Sequence, residues 1–202
     1  MITTMKKRLF LLLLVAYLLP LPSSIFPLTS MQAQQVVKPE GVVLDTLKVQ
    51  YVDLEGVRNE GEIICNHLIT QDLREIFAEL YKAKYPIERI RPISEYGNDD
   101  ERSMSNNNTS CFCYRVVSGT TKLSKHAMGM AIDVNPRYNP YVHTVNGKLK
   151  IEPANGKPYA DRSKQYKYKI TKGDLCYRLF KQHGFRWGGE WRTVKDYQHF
   201  EK

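Results

Sequence analysis

A histidine and an aspartate that lie seven residues apart have the side-chain types of a metal site. His126 and Asp133 lie in the segment SKHAMGMAIDVNPRYNP. In a strand an odd spacing puts two side chains on opposite faces, and in a straight helix seven residues separate them by about 10 Å along the axis. Neither regular element lets them share one ion. We therefore predict a tight reversal at Gly129, with Ala127 and Ala131 leaving room for close approach.

A second imidazole, in the segment KDYQHFEK, supplies the third ligand candidate. This is His199, and its segment has the pattern of a strand. Two imidazoles and one carboxylate form the ligand set of a catalytic zinc site, which keeps a fourth position for water, whereas structural sites are usually closed by four ligands rich in cysteine. We therefore predict one zinc ion held by His126, Asp133 and His199, with a water activated beside it.

A carboxylate near the ion is needed to take the proton of that water. Asp196 is the first candidate because it lies three residues before His199, and Glu190 is the second. We expect Glu201 to form a salt bridge or to support a ligand from behind. Residues three apart face opposite ways in an ideal strand, so the choice of Asp196 requires a bend or bulge at the two residues before His199.

These motifs resemble the M15 family of zinc peptidases, which includes D-alanyl-D-alanine carboxypeptidases and L-alanyl-D-glutamate endopeptidases of bacterial cell walls. The likeness is carried by HAMGMAID with the Asn135 and Pro136 that follow it, by WGGEW and by KDYQHFE, and it covers roughly residues 105–202. It implies a fold like that of the DD-peptidases and the hedgehog signalling domain. It also implies the same three zinc ligands as above, with Asp196 as the general base.

The resemblance extends to residues around the ligands. Arg115 matches an arginine that stabilises the oxyanion or holds substrate, and Ser124 matches a serine that contacts substrate. We assign Trp187 of the WGGEW motif to the substrate wall, with a place in the core as the alternative. The peptidoglycan stem peptide is the implied substrate. Asp196 favours the endopeptidase branch, because the carboxypeptidase and dipeptidase branches usually carry glutamate there; a carboxypeptidase or a zinc-stabilised binding module without turnover are the alternatives.

The first residues have the layout of a secretory signal peptide. The basic stretch Lys6–Arg8 precedes an unbroken apolar run, Leu9–Leu19, which is well short of the roughly 20 residues of a membrane-spanning helix. We predict cleavage after Ala33, with a retained anchor as the alternative. Residues 1–33 are then the signal peptide and residues 34–202 one domain of an exported protein, periplasmic or extracellular, without a stable membrane span.

Charge and cysteine content narrow the classes of partner. The formal net charge is +9, and removing the three basic residues of the signal leaves +6, with no clustered basic motif. We expect a monomer that binds no nucleic acid. The stretch Lys157–Lys169 is either a solvated loop or a contact for the wall polymer.

Four cysteines permit three disulfide pairings. A zinc site formed by all four thiolates is the alternative, but the sequence lacks the two CxxC pairs typical of such a site. The other histidines, His67, His143 and His183, we interpret as surface or hydrogen-bonded residues.

Hydrophobic periodicity predicts an α+β domain with a small, mostly antiparallel sheet and flanking helices. One helix begins at Thr70, whose hydroxyl caps it, and ends before Pro86. A second runs from Thr171 to a terminator at Gly184. Residues 34–45 and 94–110 are predicted to be irregular. The predicted strands are Ile87–Ile93, Cys111–Val117, Ala131–Val134 and Tyr197–Phe200.

Overall fold

The structure, a computed structural model, describes residues 37–202, so the predicted signal peptide lies outside the described residues. Within that range no helix is both long enough and apolar enough to traverse a bilayer. The described strands are β1 (Leu44–Val52), β2 (Arg58–Asn66), β3 (Arg89–Ile90), β4 (Asn108–Thr109), β5 (Ala131–Asp133), β6 (Tyr141–Val145), β7 (Lys148–Glu152), β8 (Arg186–Trp187), β9 (Lys195–Asp196) and β10 (His199–Glu201). The α-helices are α1 (Thr70–Lys82), α2 (Asp100–Ser105) and α3 (Leu175–Gln182), and short 3₁₀ helices cover His67–Ile69, Ile93–Tyr96, Lys125–Met128, Ala154–Tyr159 and Gly188–Glu190.

The strands pair into four small sheets. Three are antiparallel, with the strand orders β1-β2, β5-β10-β8 and β7-β6-β9, and the two-residue pair β3-β4 is parallel. The α+β prediction is therefore confirmed, although the strands are divided among several sheets instead of one. This division matters for the site, because β9 and β10 follow each other along the chain and yet belong to different sheets.

The core forms between the β1-β2 hairpin, α1 and α3. Helix α1 buries a stripe at helical spacing, Leu73, Ile76, Phe77 and Leu80, as its periodicity predicts. Burying each such side chain contributes roughly 1.5–3 kcal/mol. The hairpin alternates buried and exposed residues with a period of two, although no strand is predicted for these residues above. Residues predicted to be irregular up to position 45 therefore include the start of β1.

Local hydrogen bonding corrects one predicted cap and one predicted helix start. The Thr70 hydroxyl donates to Asp45 at 2.7 Å instead of capping α1, and the Asn66 side chain caps the preceding 3₁₀ turn. The second helix begins at Leu175, because Asp174 accepts from the Cys176 backbone as its N-cap. It ends as predicted, with Gly184 at φ +81° just beyond it.

Two segments near the middle of the chain were assigned to the wrong class. Residues 94–110 contain helix α2, which starts where the Asp99 side chain accepts from the Arg102 backbone at 2.9 Å. Residues 111–117 form no strand. This part of the chain pairs only through two isolated bridges, one from Ser110 to Asp133 and one from Val116 to Leu123. The four cysteines, Cys65, Cys111, Cys113 and Cys176, are buried free thiols, so no disulfide supports the fold.

Gly129 links the hairpin to the segment that carries His126. It ends the 3₁₀ helix Lys125–Met128 in the left-handed conformation at φ +66°, which confirms the predicted reversal. The Gly129 carbonyl accepts from the Asn66 backbone at 2.9 Å, and a Cβ at Gly129 would lie 2.7 Å from the Asn66 nitrogen. Any larger residue must therefore push apart two backbone segments.

We predict that Gly129→Ala lowers the free energy of unfolding by roughly 2–4 kcal/mol, through left-handed strain and overpacking together. Gly97→Ala is the matched control. Gly97 also ends a four-residue 3₁₀ helix, at φ +71°, but nothing lies within 4 Å of its Cβ position. The control should therefore cost only the strain, about 1 kcal/mol. Urea unfolding of both variants measures the difference, and equal costs would show that the close approach to Asn66 is unimportant.

Candidate metal centre

The two ligand candidates that lie in strands are direct neighbours. His199 on β10 pairs in register with Asp133 on β5, and residues opposite each other in an antiparallel pair project from the same face. Their side chains approach to 3.2 Å between His199 Nδ1 and Asp133 Oδ1. This pairing brings together residues that are 66 positions apart in the sequence.

His126 reaches the same point from the 3₁₀ helix before Gly129. Its Nε2 lies 3.0 Å from His199 Nδ1 and 3.3 Å from Asp133 Oδ1. All three side chains are almost completely buried. Within residues 37–202 this is the one group of three or more His, Cys, Asp or Glu side chains whose ligand atoms converge, and the thiols form no such group there.

The outer nitrogens of both imidazoles fix which nitrogen faces the centre. His126 Nδ1 donates to the Cys111 carbonyl at 2.6 Å, and His199 Nε2 faces the Glu201 carboxylate at 3.4 Å. Because these oxygens only accept hydrogen bonds, each outer nitrogen carries a proton, and the inner nitrogen of the neutral imidazole then presents a lone pair. Hydrogen bonds to the outer nitrogen are the usual support of zinc-bound histidine. The expectation that Glu201 supports a ligand or forms a salt bridge is confirmed, since it also pairs with Arg186 at 2.7 Å.

Two lone pairs and a carboxylate oxygen that face each other repel unless positive charge lies among them. Burial opposes the charging of His199, but its hydrogen bonds to Asp133 and Glu201 raise its pKa to about 10. Burial likewise disfavours ionised Asp133, yet the two histidines hold its pKa well below the ordinary value. Zinc bonds of about 2.0–2.1 Å in tetrahedral geometry imply ligand atoms about 3.3–3.4 Å apart, close to the distances found. The three residues therefore fit a zinc ion.

Asp196 lies at the edge of this group, on β9. The chain leaves the β6-β9 sheet after Asp196 and joins β5 at His199, so the predicted bend at Tyr197 and Gln198 is confirmed. Asp196 Oδ2 is 4.0 Å from His199 Nδ1, and its Oδ1 is buried without a hydrogen-bond partner within the described range. Burial is the main reason why its pKa is raised to about 7. A buried carboxylate of this kind is suited to accept and return a proton near neutral pH.

Glu190, the second candidate for this carboxylate, points elsewhere. It accepts from the Tyr177 hydroxyl at 2.8 Å and pairs with Lys181 at 3.2 Å, and it does not line the cleft beside His199. The cleft has a volume of about 460 Å³ and is lined near the ligands by Arg115, Ser124, Tyr141, Glu152, Trp191 and Asp196.

Arg115 reaches the cleft from the segment before Ser124, and its partner was not foreseen. Arg115 Nε lies 2.8 Å from Asp100 Oδ2 at the start of α2. Sequence reasoning placed Asp100 in a loop, so its role as the group that orients the guanidinium was missed. Ser124 lines the cleft and is nearly buried, and its hydroxyl accepts from the His126 backbone at 3.2 Å. It therefore also caps the helix that carries the first ligand.

The assignment of Trp187 to the substrate wall is corrected by its packing. Trp187 is 5% exposed, lies in the hydrophobic core with Phe200, and donates from Nε1 to the Tyr197 carbonyl. Of the two tryptophans in the sequence, Trp191 is the one that lines the cleft, with its ring 5.2 Å from that of His199. The two glycines between them turn the chain, so the second aromatic of WGGEW faces the cleft and the first faces the core.

We predict that Glu201→Gln weakens zinc binding about 10-fold. The neutral amide is a weaker acceptor for the His199 Nε2 proton than the carboxylate, and its weaker hydrogen bond makes Nδ1 less basic. Competition with a chromophoric chelator measures the affinity. Glu190→Gln is the control, since it removes a carboxylate of the same segment that does not contact the ligands. Equal zinc affinity in both variants would contradict the role of Glu201.

Comparison with known proteins agrees with this site. The family model of the M15 peptidases that is described as D-alanyl-D-alanine carboxypeptidase matches residues 118–202, while no curated protein and no solved structure matches the chain. The matched segment contains the three converging ligands and Asp196, whereas Arg115 and Asp100 precede it. The match confirms the resemblance that the motifs carry: residues 118–202 are similar to the M15 family of peptidases.

Proposed function

We propose that this peptidase is zinc-dependent, is exported to the cell envelope and hydrolyses peptide bonds in the stem peptides of peptidoglycan. The observation that carries the proposal is the convergence of His126, Asp133 and His199 at 3.0–3.3 Å, with the buried Asp196 carboxylate beside them at the wall of an open cleft. A structural metal site has no need of an unpaired, buried carboxylate next to it.

The chemistry follows from the groups around the centre. When bound, zinc lowers the pKa of a water to about 7 and polarises a carbonyl group. Asp196 Oδ1, which has no partner among the described residues, accepts the proton of the attacking water. The same carboxylate then returns the proton to the amine that leaves. Its raised pKa suits both steps at neutral pH.

Arg115 completes this arrangement as the positive group that faces the substrate. Negative charge builds on the carbonyl oxygen as the tetrahedral intermediate forms, and a fixed guanidinium stabilises that charge without reorganising. The ion pair with Asp100 supplies the fixation. Both members of the pair line the cleft together with His126 and His199.

The proposed substrate bond is the internal L-alanyl-D-glutamate link. Its support is the aspartate at position 196, where the carboxypeptidase and dipeptidase branches usually have glutamate. A D-alanyl-D-alanine carboxypeptidase is the second candidate, and the description of the matching family model favours it. Export is supported by the signal-like sequence of residues 1–33. The stem peptide is then the proposed partner, and the protein acts as a monomer.

We predict that purified protein cleaves soluble muropeptides and that a chelator abolishes the cleavage, with activity restored by added zinc. Asp196→Asn should lower kcat by a factor of about 10³ or more while zinc still binds, because the amide fills the same volume but cannot take a proton. Zinc content and muropeptide turnover are measured on the same preparations. Glu190→Gln, which also replaces a carboxylate by an amide of the same volume, serves as the control and should turn over normally.

A binding module without turnover gives a different result in the same experiment. The unaltered protein would then retain zinc and bind muropeptides but leave every peptide intact, and Asp196→Asn would change nothing. That outcome would contradict the proposed enzyme while leaving the metal centre in place.

The cleaved bond is predicted to be identifiable from product masses. An endopeptidase of the proposed type releases a peptide that begins with D-glutamate, whereas a carboxypeptidase releases free D-alanine and shortens the pentapeptide by one residue. Mass spectrometry of a defined pentapeptide muropeptide distinguishes them. Exclusive release of D-alanine would overturn the endopeptidase assignment in favour of the second candidate.

A further inference from the structure

Three side chains from three neighbouring strands form one row along the cleft. Tyr141 on β6 pairs in register with Glu152 on β7 and, on its other side, with Asp196 on β9. Side chains at directly opposed positions of antiparallel strands share a face, with Cβ atoms about 4.5–5.5 Å apart. All three line the cleft. Tyr141 is therefore the immediate neighbour of the proposed general base.

The ring of Tyr141 is held in place from behind. It stacks on His143, with ring centroids 4.2 Å apart and planes at 10°. His143 lies two residues further along β6, on the same face, and is 6% exposed. Its Nε2 is 3.6 Å from the Glu152 carboxylate. His143, predicted to be a surface or hydrogen-bonded residue, is instead buried against this phenol, and its Nε2 forms no hydrogen bond within the described residues.

The hydroxyl of Tyr141 is available to a ligand. Within residues 37–202 no protein group forms a hydrogen bond with it, whereas the hydroxyls of Tyr138, Tyr166 and Tyr177 each have a partner. Burial raises the pKa of Tyr141, and the charges of Asp196 and Glu152 raise it further while that of Arg115 opposes them. The hydroxyl therefore stays protonated at neutral pH and can donate a hydrogen bond in the same cleft as Asp196 and Arg115.

Simple packing would explain the ring but not the hydroxyl. A phenylalanine would stack on His143 equally well, so the stack gives no reason for the oxygen of a ring that lines the cleft. The Tyr141 hydroxyl is a neutral donor that shares the cleft with Asp196 and with the Arg115 guanidinium. Such a donor can stabilise the negative charge that develops on the substrate carbonyl oxygen during hydrolysis.

We propose that Tyr141 is a further catalytic residue, whose hydroxyl donates a hydrogen bond to the carbonyl oxygen of the scissile peptide bond alongside Arg115. The inference rests on the proposed peptidase function. The hydrogen bond strengthens as the carbonyl carbon becomes tetrahedral and the oxygen gains charge. No proton is transferred, and the phenol is neutral before and after each turnover.

The test is Tyr141→Phe, which keeps the ring and its stack and removes one oxygen. We expect kcat to fall about 100-fold, with KM changed by less than about threefold, as for loss of one donor to the oxyanion. The matched control is Tyr138→Phe, which removes a hydroxyl that accepts from Arg137 and does not line the cleft. It should keep the unaltered kcat.

A binding measurement separates catalysis from structure. The probes are a muropeptide phosphinate, in which a tetrahedral phosphinate replaces the cleaved amide, and the product peptide, which has no tetrahedral centre. We expect Tyr141→Phe to weaken the phosphinate by about the factor lost in kcat/KM and to leave product affinity unchanged. The ratio of the two affinities does not depend on the fraction of protein that is folded.

The outcomes distinguish this inference from the function on which it rests. Unaltered protein that cleaves no muropeptide overturns the proposed function, and the tyrosine assignment with it. Active unaltered protein with an equally active Tyr141→Phe variant overturns the tyrosine assignment alone. A variant in which phosphinate and product affinities fall by the same factor also overturns it, because Tyr141 would then hold substrate without favouring the transition state.

Discussion

Three buried electron-pair donors that point at one another are the constraint on which the rest of this structure depends. His126 Nε2, His199 Nδ1 and Asp133 Oδ1 lie within 3.3 Å of each other, where water cannot screen them. Such an arrangement requires positive charge among the three atoms, from a metal ion or a proton. The Cys111 carbonyl and the Glu201 carboxylate, which can only accept from the outer nitrogens, keep the imidazoles turned this way. The site is thus shaped for an ion by its supporting bonds as much as by its ligands.

The pairing of short strands turns this constraint into a catalytic geometry. Strand β10 places His199 opposite Asp133, while β9, two residues earlier in the chain, places Asp196 opposite Tyr141 in another sheet. The ligands and the proposed base therefore sit on two sheets that meet at the cleft. Each sheet is anchored by its own neighbours, and Asp196 Oδ2 lies 4.0 Å from His199 Nδ1.

The part of the chain that precedes residue 118 supplies contacts that position residues of the site. Helix α2 supplies Asp100, which orients Arg115 at the cleft. The end of β2 supplies the Asn66 amide that holds the Gly129 carbonyl, and with it the turn that presents His126. These contacts explain how a segment of 85 residues, 118–202, functions within a larger domain: its own strands are only two to five residues long, and the hairpin and α1 provide the core on which they rest.

The sequence by itself identified the three ligand candidates, the proposed base and the turn at Gly129, because those depend on residue types at short spacings and on motifs that few other functions require. It also determined the stripe of α1 and the stop at Gly184, which are local. Tertiary structure alone decided what depends on contacts between distant segments: the division of strands among four sheets, the Asp100–Arg115 pair, the burial of Trp187 with Trp191 at the cleft, and the row that joins Tyr141 to Asp196. Register between strands fixes which side chains share a face, and no spacing along one strand reveals the register of its partner.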